Sequence, residues 1–369
     1  MIYVDNAATS KICQAARDEI ISLLDFCGNA SSSHSLGIIA SQKIKDARKT
    51  VKELIGASEN DALVFTSGGS EANNQALHIA STLGRKRIII SAIEHSSVFN
   101  TANEFSKRGF EVKTVGVDKN GVILLDELKE LINGDTAIVS VMAVNNEIGT
   151  VQPLKEIGAL CKEKGVVFHT DAVAAVGKIN LDVAEMNIGM LSLSAHKFGG
   201  MQGVGALYIR EDISASPIIF GGAQEHKLRA GTENLIGIAS LSSALKDACT
   251  HLDERKEYVS KLSKSLSDRL LKLPDISLNG GNRIDGIVNI TFKGISAEAM
   301  LLHLDGKGIC ASTGAACNAS DKAPSRVLKA LGISDEDALS SIRFSLSHEN
   351  TEDEIGYISE TVESFCKTI

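Results

Sequence analysis

An acidic and a basic residue, each placed directly after an apolar segment, are the residues of this chain best suited to chemistry. Asp171 ends the run Val-Val-Phe-His-Thr-Asp, and Lys197 closely follows the run Met-Leu-Ser-Leu-Ser at 190–194. Parallel strands of an open α/β sheet end at a common edge, where such sheets bind ligands. Pyridoxal phosphate requires a carboxylate that keeps its ring nitrogen protonated and an amine that bonds to its aldehyde. The pair therefore predicts a pyridoxal phosphate site.

Each of these residues alone also has an ordinary structural interpretation. A single lysine is more often solvated at the surface, and a single aspartate is common where a strand turns. The catalytic interpretation is favoured because His196 precedes Lys197 and Gly199-Gly200 follows it, directly after a predicted strand. Several agreeing signals carry more weight than one motif.

A possible phosphate seat follows the predicted strand at 62–66. The segment Ser67-Gly-Gly-Ser70 turns directly into a helical pattern. Two glycines let the backbone approach an anion, and the amide groups of the first helical turn, with the Ser70 hydroxyl, point towards it. An ordinary capped helix beginning at Ser67 explains the same residues without any ligand. The phosphate-binding interpretation is favoured only because the chain also contains Asp171 and Lys197.

Further polar residues follow other predicted strands. His95 is placed to lie flat on a pyridine ring, although a capping histidine is the alternative. Asn145 and Asn146 could reach a ring oxygen or a substrate carboxylate, although turn residues are the alternative. Arg343 alternates with apolar residues and suits a bidentate contact to an amino acid carboxylate, although strand-edge arginines are common.

The cysteines number seven, and none is spaced as Cys-x-x-Cys. This disfavours a disulfide framework or a closed zinc site and indicates free thiols, so no metal is predicted. Most are predicted to be small apolar core residues. Cys317 differs because small and flexible residues surround it, from Ala311 to Pro324. We expect an exposed, mobile thiol there.

The order of the predicted elements indicates an α/β fold. Strand patterns alternate with helical patterns from about residue 62, which predicts a mostly parallel seven-stranded sheet covered by helices. The predicted strands of this sheet are 62–66, 87–91, 111–115, 137–141, 166–170, 190–194 and 204–209. Helices are predicted at 14–26 and 35–55, with one helical stretch over 233–273.

The end of the chain indicates a second, smaller α+β domain. It has predicted strands at 286–292 and 341–347 and helices at about 296–305, 324–331 and 351–366. A chain of 369 residues with 43% hydrophobic content can form two cores. We therefore expect a large domain at 14–250 and a small domain at 251–369 that also includes residues 1–13.

Charge and hydropathy exclude some classes of function. The formal charge is -8, and no run of lysines and arginines is dense enough to follow a phosphate backbone, so direct nucleic-acid binding is not expected. No apolar run approaches membrane-spanning length, and Asp5 stands where a signal peptide would be positively charged. We expect a cytoplasmic protein with no membrane contact.

Short segments along the whole chain resemble the cysteine desulfurases, the NifS/IscS-like enzymes of the class-V aminotransferase superfamily. These segments are Asp5-Asn-Ala-Ala-Thr9, Thr66-Ser-Gly-Gly-Ser-Glu-Ala-Asn-Asn74, Glu94-His95, Asn145-Asn-Glu-Ile-Gly149, His169-Thr-Asp171, Ser194-Ala-His-Lys197, Arg229-Ala-Gly-Thr-Glu-Asn234, Thr313-Gly-Ala-Ala-Cys317 and Ser340-Ser-Ile-Arg-Phe-Ser345. The resemblance implies a pyridoxal-phosphate-dependent homodimer of fold type I that converts L-cysteine to L-alanine.

The resemblance also implies a role for each site residue. Lys197 would bond to the cofactor, Asp171 would pair with its ring nitrogen and His95 would stack on the ring. Asn146 and Arg343 would bind the substrate carboxylate, and Cys317 would receive the sulfur as a persulfide. The remaining residues would bind the phosphate, with Thr232 supplied by the neighbouring subunit: Gly69, Ser70, Ser194, His196 and Thr232. The sulfur acceptor would be an iron-sulfur scaffold or a tRNA-thiolation enzyme.

Some positions depart from the family pattern. Ala174 stands where relatives usually carry a glutamine that contacts the phenolic oxygen of the cofactor. Ala30 replaces a usual proline, and Met201-Gln202 replaces a usual proline and lysine. These changes indicate a slower or specialised relative. A selenocysteine lyase, a class-V aminotransferase and an interaction protein that has lost catalysis are the alternatives.

Overall fold

The main sheet of the chain has seven strands, six of which run in the same direction. The computed structural model describes residues 1–314 and 323–368. The strands are β2 (Ala62–Thr66), β3 (Arg87–Ser91), β4 (Glu111–Val115), β5 (Thr136–Ser140), β6 (Val167–Asp171), β7 (Met190–Ser194) and β8 (Gly205–Ile209). Their order is β2-β8-β7-β6-β5-β3-β4, and β8 alone is antiparallel to its neighbours. The seven predicted strands are therefore confirmed.

Helices cover both faces of this sheet. They are α1 (Gln14–Leu23), α2 (Ser35–Leu54), α3 (Gly69–Ser81), α4 (Ser96–Lys107), α5 (Leu125–Leu131), α6 (Leu154–Glu163) and α7 (Leu235–Thr250), with short 3-10 turns at Ala195–Lys197 and Gln224–Lys227. Every residue of β5, β7 and β8 is buried, as expected of strands covered on both faces.

The remaining elements form two small sheets with their own apolar core. β9 (Ile276–Asn279), β10 (Ile287–Phe292) and β12 (Ser341–Ser345) are antiparallel, whereas β1 (Ile2–Tyr3) and β11 (Ile309–Cys310) pair in parallel. The helices are α8 (Leu252–Leu270), α9 (Ala297–Gly306), α10 (Arg326–Ala330), α11 (Asp335–Leu339) and α12 (Glu352–Cys366). This core joins the N-terminal Val4 to residues between Val259 and Val362. The exact domain boundaries stay a prediction.

The stretch over 233–273 that was predicted to be helical forms two helices. α7 and α8 meet at His251, next to the domain boundary that was predicted near residue 250. The two helices pack on different partners, α7 on α1 and α2, and α8 on β10 and α12. Because each helix buries a face against a different core, a single straight helix would not satisfy both contacts.

The short elements β1, β9, β11 and α11 were not predicted, because segments of two to five residues carry too little periodicity. Among the described residues, none of the helices combines the length and the apolar character that crossing a membrane requires.

Candidate active site

A cavity of about 370 Å³ lies at the carboxyl ends of β6 and β7. Ala7 and Ala8 close one side of it, and Gly314 and Arg343 reach it from the second core. It brings together nine of the residues predicted from the sequence: Gly69, Ser70, His95, Asn146, Asp171, Ser194, His196, Lys197 and Arg343. Residues from distant parts of the sequence thus share one small space.

Asp171 is held rigidly in the wall of this cavity. It is the last residue of β6 and only 3% exposed. Its Oδ1 accepts a hydrogen bond from the Val173 N–H at 3.0 Å, and its Oδ2 accepts one from Asn73 Nδ2 at 2.7 Å. Such donors hold the carboxyl group in one orientation. Asp171 can therefore present its oxygen atoms to a cationic ring.

Asn73 and Ser97 connect Asp171 to His95. The amide nitrogen of Asn73 also donates to Ser97 Oγ at 2.9 Å, and that oxygen lies 2.8 Å from His95 Nδ1. Because His95 Nδ1 also accepts the Ser97 N–H at 3.1 Å as the N-cap of α4, a neutral His95 carries its proton on Nε2. The capping role considered for His95 is thus present, and the ring still lines the cavity.

The amine of Lys197 lies against the N-terminal segment. Its Nζ donates to the carbonyl oxygens of Ala7 at 2.6 Å and Ala8 at 2.8 Å. Ala7 is itself fixed, because its N–H donates to Ser345 Oγ at 2.9 Å. The lysine therefore lies in the same cavity as Asp171, and the carbonyl groups of Ala7 and Ala8 help to orient it.

The first turn of α3 is suited to bind an anion. The ordinary alternative, a capped helix, is incomplete: Ser67 N–H donates to Glu71 Oε2 at 2.7 Å, but no side chain caps α3. Its first N–H groups therefore remain available to a ligand. A Cβ at Gly69 would lie 2.6 Å from Val173 Cγ2, so a larger residue would not fit there.

His196 contributes to the same end of the cavity as a neutral side chain. Burial, and then the positive charges of Lys197 and Lys178, together lower the pKa of His196 from 6.5 to about 4. Its Nδ1 lies 3.1 Å from Thr9 Oγ1. A neutral imidazole can donate one hydrogen bond to a phosphate without adding a full charge.

Arg343 is buried, with 2% of its surface exposed. Its Nη2 forms an ion pair with Asp5 Oδ1 at 2.6 Å, and its Nη1 donates to the carbonyl of Asn146 at 2.9 Å. Its Nε is buried without a hydrogen-bond partner among the described residues. The two predicted carboxylate-binding residues are therefore in direct contact, and one donor of the guanidinium remains available.

The cavity lacks a donor at position 174. Ala174 lines the wall next to Val173 with 7% of its surface exposed, and its methyl group offers no hydrogen bond. The departure noted in the sequence therefore falls inside the site.

Two candidates named from the sequence, Thr232 and Asn145, do not line the cavity. Thr232 is exposed on this chain. Asn145 is fully buried: its Oδ1 accepts the N–H groups of Glu147 and Ile148 and its Nδ2 donates to the Ile93 carbonyl, so it has the alternative role of a turn residue.

Cys317 lies outside the described residues. Gly314, three positions before it, lines the cavity.

Sequence reasoning missed Asn73, Ser97 and Glu94 as parts of the site. Asn73 and Glu94 stood in recognised segments without an assigned role, so their position there was the available signal. Glu94 is 1% exposed, and its Oε1 accepts the Met142 N–H at 2.6 Å. Burial, and then the neighbouring Asp171, raise the pKa of Glu94 well above its usual value. Glu94 therefore adds a buried carboxyl group behind the site, in surroundings that disfavour its charged form.

Comparison with known proteins gives the family. The aminotransferase class-V family matches residues 2–358, so the chain belongs to that family. Among its relatives, a protein named cysteine desulfurase IscS from Methanosarcina thermophila is 43% identical over 367 residues, which are 98% of this chain and 91% of that protein. The resemblance found in the sequence is thereby confirmed.

Solved structures agree with the family and the fold. One described as a NifS-like protein superposes with a TM-score of 0.93 at 33% identity and covers both chains completely. Another, described as SspA in complex with cysteine, has a TM-score of 0.83 at 33% identity and covers 94% of this chain and 99% of that one. The predicted fold class is therefore confirmed.

Proposed function

We propose that this protein is a cysteine desulfurase that uses pyridoxal phosphate. The reaction converts L-cysteine and an enzyme thiol to L-alanine and an enzyme persulfide, so one sulfur atom moves and no outside oxidant is needed. The observation that carries the proposal is the single cavity shared by Asp171, Lys197, His95 and Arg343. The relative named cysteine desulfurase supports the choice of substrate.

The donor set of the cavity fits the cofactor. Asp171 would face the ring nitrogen, His95 would cover the ring and Lys197 would bond to the aldehyde. The open first turn of α3, with Ser70, Ser194 and His196, would hold the phosphate. When bound, the cofactor supplies an electron-withdrawing ring that makes the Cα proton of an attached amino acid acidic.

The residues around this position can bind the substrate and move a proton. Arg343 would hold the carboxylate of cysteine with a charge-assisted hydrogen bond, helped by the Asn146 side chain. When its amine is free, Lys197 would accept the Cα proton of the bound cysteine. The carbonyl groups of Ala7 and Ala8 would orient that amine.

Cys317 is the proposed sulfur acceptor on the enzyme. Gly314, which lines the cavity, precedes Cys317 by three positions in the sequence, and this supports the assignment. Its thiolate would attack the γ-sulfur of the substrate, the bond from carbon to sulfur would break, and the remaining fragment would take up protons to become alanine.

The assembly and partners are proposed from the same family membership. Thr232 would complete the phosphate seat of a second copy in a homodimer. The persulfide would pass to an iron-sulfur scaffold or a tRNA-thiolation enzyme in the cytoplasm.

The experiment is to incubate the purified protein with pyridoxal phosphate and L-cysteine, measure alanine and locate any persulfide by mass spectrometry. We expect alanine together with a persulfide on Cys317. Cys317→Ser should abolish sulfur release, whereas Cys13→Ser, a matched change at another thiol, should not. An aminotransferase would keep its activity in Cys317→Ser, and a protein that forms no alanine from cysteine would contradict the proposal.

A further inference from the structure

A second cavity, of about 570 Å³, is lined by the N-terminal segment and by residues of both cores. Ala7 and Lys197 line both cavities. The proposed function uses no other residue of the second cavity. Its size is within the range of small-molecule binding sites.

The second cavity is positively charged in a chain that is negative overall. Its lining includes six Lys or Arg side chains and three Asp or Glu side chains, whereas the whole chain has a formal charge of -8. An excess of one sign in a concave site with apolar walls concentrates the field and attracts ligands of opposite charge. The lining therefore favours an anion.

Most of these cations already have partners or face water. Lys11 pairs with Glu349 at 2.7 Å, and Arg255 pairs with Asp247 at 2.8 Å. Lys256 is exposed to solvent. Lys197 is bonded to the carbonyl groups described above. Of the six cations, Lys178 and Arg283 are therefore the two best placed to bind an anion.

Lys178 is a partly buried lysine without a counter-ion. Among the described residues its amine makes no hydrogen bond or ion pair, and the charges that act on it are those of Lys197 and Arg343. Burial first, and then these two cations, lower the pKa of Lys178 from 10.5 to about 8. The preceding Gly177 has a φ of 73°, and a Cβ there would lie 2.9 Å from Ala248. The tight packing of this turn fixes where Lys178 enters the cavity.

Arg283 is a second cation for which the described residues show no side-chain hydrogen bond or ion pair, although the negative charge of Asp285 acts on it. Its Nη1 is buried and has no hydrogen-bond partner among the described residues. Its backbone is fixed by pairing with Thr150, in the loop between β9 and β10. Buried guanidinium groups normally pair with an anion, because an unsatisfied buried donor is costly.

We propose that this second cavity binds a small organic anion, whose carboxylate or phosphate group contacts Lys178 and Arg283. Phe198, Leu252, Ile284 and Leu346 supply apolar walls, so the ligand carries an apolar body as well as the charged group. An anion beside Lys178 also reduces its repulsion with Lys197. A bound anion would therefore change the electrostatic surroundings of Lys197, which lines both cavities.

The test is calorimetric titration of the protein saturated with pyridoxal phosphate, which blocks the phosphate seat, at low ionic strength and pH 7. The probes are phenyl phosphate, benzoate, inorganic phosphate and the uncharged phenol. We expect saturable binding of phenyl phosphate or benzoate, weaker binding of inorganic phosphate and none of phenol. The two aromatic anions distinguish a phosphate ligand from a carboxylate ligand.

Two variants and a matched control locate the site. Arg283→Gln and Lys178→Gln should each weaken binding of the tighter anion about tenfold or more, because each removes a charge-assisted hydrogen bond. Lys256→Gln, which removes a solvated charge at the rim, should change it less than about twofold. Arg283→Lys should retain more binding than Arg283→Gln, and circular dichroism without ligand checks the fold.

Absence of saturable anion binding to the wild-type protein would overturn the proposal, whether or not the variants fold. Binding seen only without pyridoxal phosphate would assign the anion to the phosphate seat and would also overturn it. Equal weakening by Lys256→Gln and Arg283→Gln would show a diffuse charge effect rather than a site. None of these results depends on turnover, so failure here is distinct from failure of the proposed function.

Discussion

At the scale of single residues, a chain of hydrogen bonds joins the carboxylate and the imidazole of the site. Asn73 uses both of its N–H groups, one towards Asp171 and one towards Ser97, which in turn contacts His95. Asp171, Lys197 and Arg343 could be predicted as site residues because charged side chains beside apolar strands suggest a role in binding or catalysis. Asn73 did not, because an asparagine in a helix is usually solvated and only the packing of α3 against β6 buries it.

The first prediction concerns the hydrogen bond from Asn73 to Asp171. Asn73→Ala removes a donor from a buried carboxylate, so we expect the affinity for pyridoxal phosphate to fall about tenfold. The affinity is measured by absorbance titration of the cofactor. An unchanged affinity would mean that Val173 N–H alone holds Asp171 in position.

The second prediction concerns the missing donor. Ala174→Gln should raise the rate of alanine formation about tenfold, because one hydrogen bond to a charged acceptor contributes about 1.5–3 kcal/mol. Ala174→Leu has a similar volume without the donor and should not raise the rate. A gain in both variants, or in neither, would show that this position does not limit turnover through a hydrogen bond.

At the scale of elements, an ion pair fastens α2 to the turn that precedes α7. Arg48 binds Glu225 in bidentate geometry at 2.7 and 2.9 Å, and Glu225 also accepts the Phe65 N–H at 2.9 Å. Glu225, His226 and Lys227 all have positive φ values, between 47° and 68°. Left-handed backbone is unfavourable for such residues, so the contacts of Glu225 must stabilise the turn.

The third prediction follows from this ion pair. Glu225→Ala should lower the free energy of unfolding by about 3–5 kcal/mol, because it leaves Arg48 buried without its partner. Urea denaturation measures the change. Glu257→Ala breaks an exposed helical pair with Lys261 and should change the free energy of unfolding far less, because water screens exposed charges. An equal loss of unfolding free energy in the two variants would show that the pair of Arg48 and Glu225 has no special role in stability.

The elements differ in how far sequence could predict them. The long strands of the main sheet are apolar runs bounded by turns, and all seven were predicted. The division at His251 was not, because both halves keep helical periodicity and only the two cores distinguish them. The pairing of Arg48 with Glu225 spans 177 positions, and no local pattern reports it.

At the scale of the whole molecule, the N-terminal segment joins the two cores at the active site. Asp5 pairs with Arg343, Ala7 N–H donates to Ser345, and the carbonyl groups of Ala7 and Ala8 receive Lys197. The segment was recognised by resemblance, but its position beside two cavities depends on long-range contacts that sequence patterns do not carry.

The fourth prediction concerns stability in acid. Burial lowers the pKa of His169 from 6.5 to about 3, so between these values the unfolded chain binds a proton that the folded protein does not. The stability contributed by neutral His169 is complete above pH 6.5 and is lost as the pH falls towards 3, by at most about 1.4 kcal/mol per pH unit. Urea denaturation at pH 7 and pH 5 measures the slope, and His169→Gln should make it shallower. An unchanged slope would assign the acid sensitivity to other groups, such as His196.

The central claim is that Asp171 and Lys197 hold one cofactor between them. The most direct measurement is to reduce the protein with borohydride in the presence of pyridoxal phosphate and to map the labelled peptide by mass spectrometry. We predict that the pyridoxyl group is found on Lys197, and that Asp171→Asn still carries the label there but has lost alanine formation. A label on Lys178 instead, or no label at all, would contradict the account.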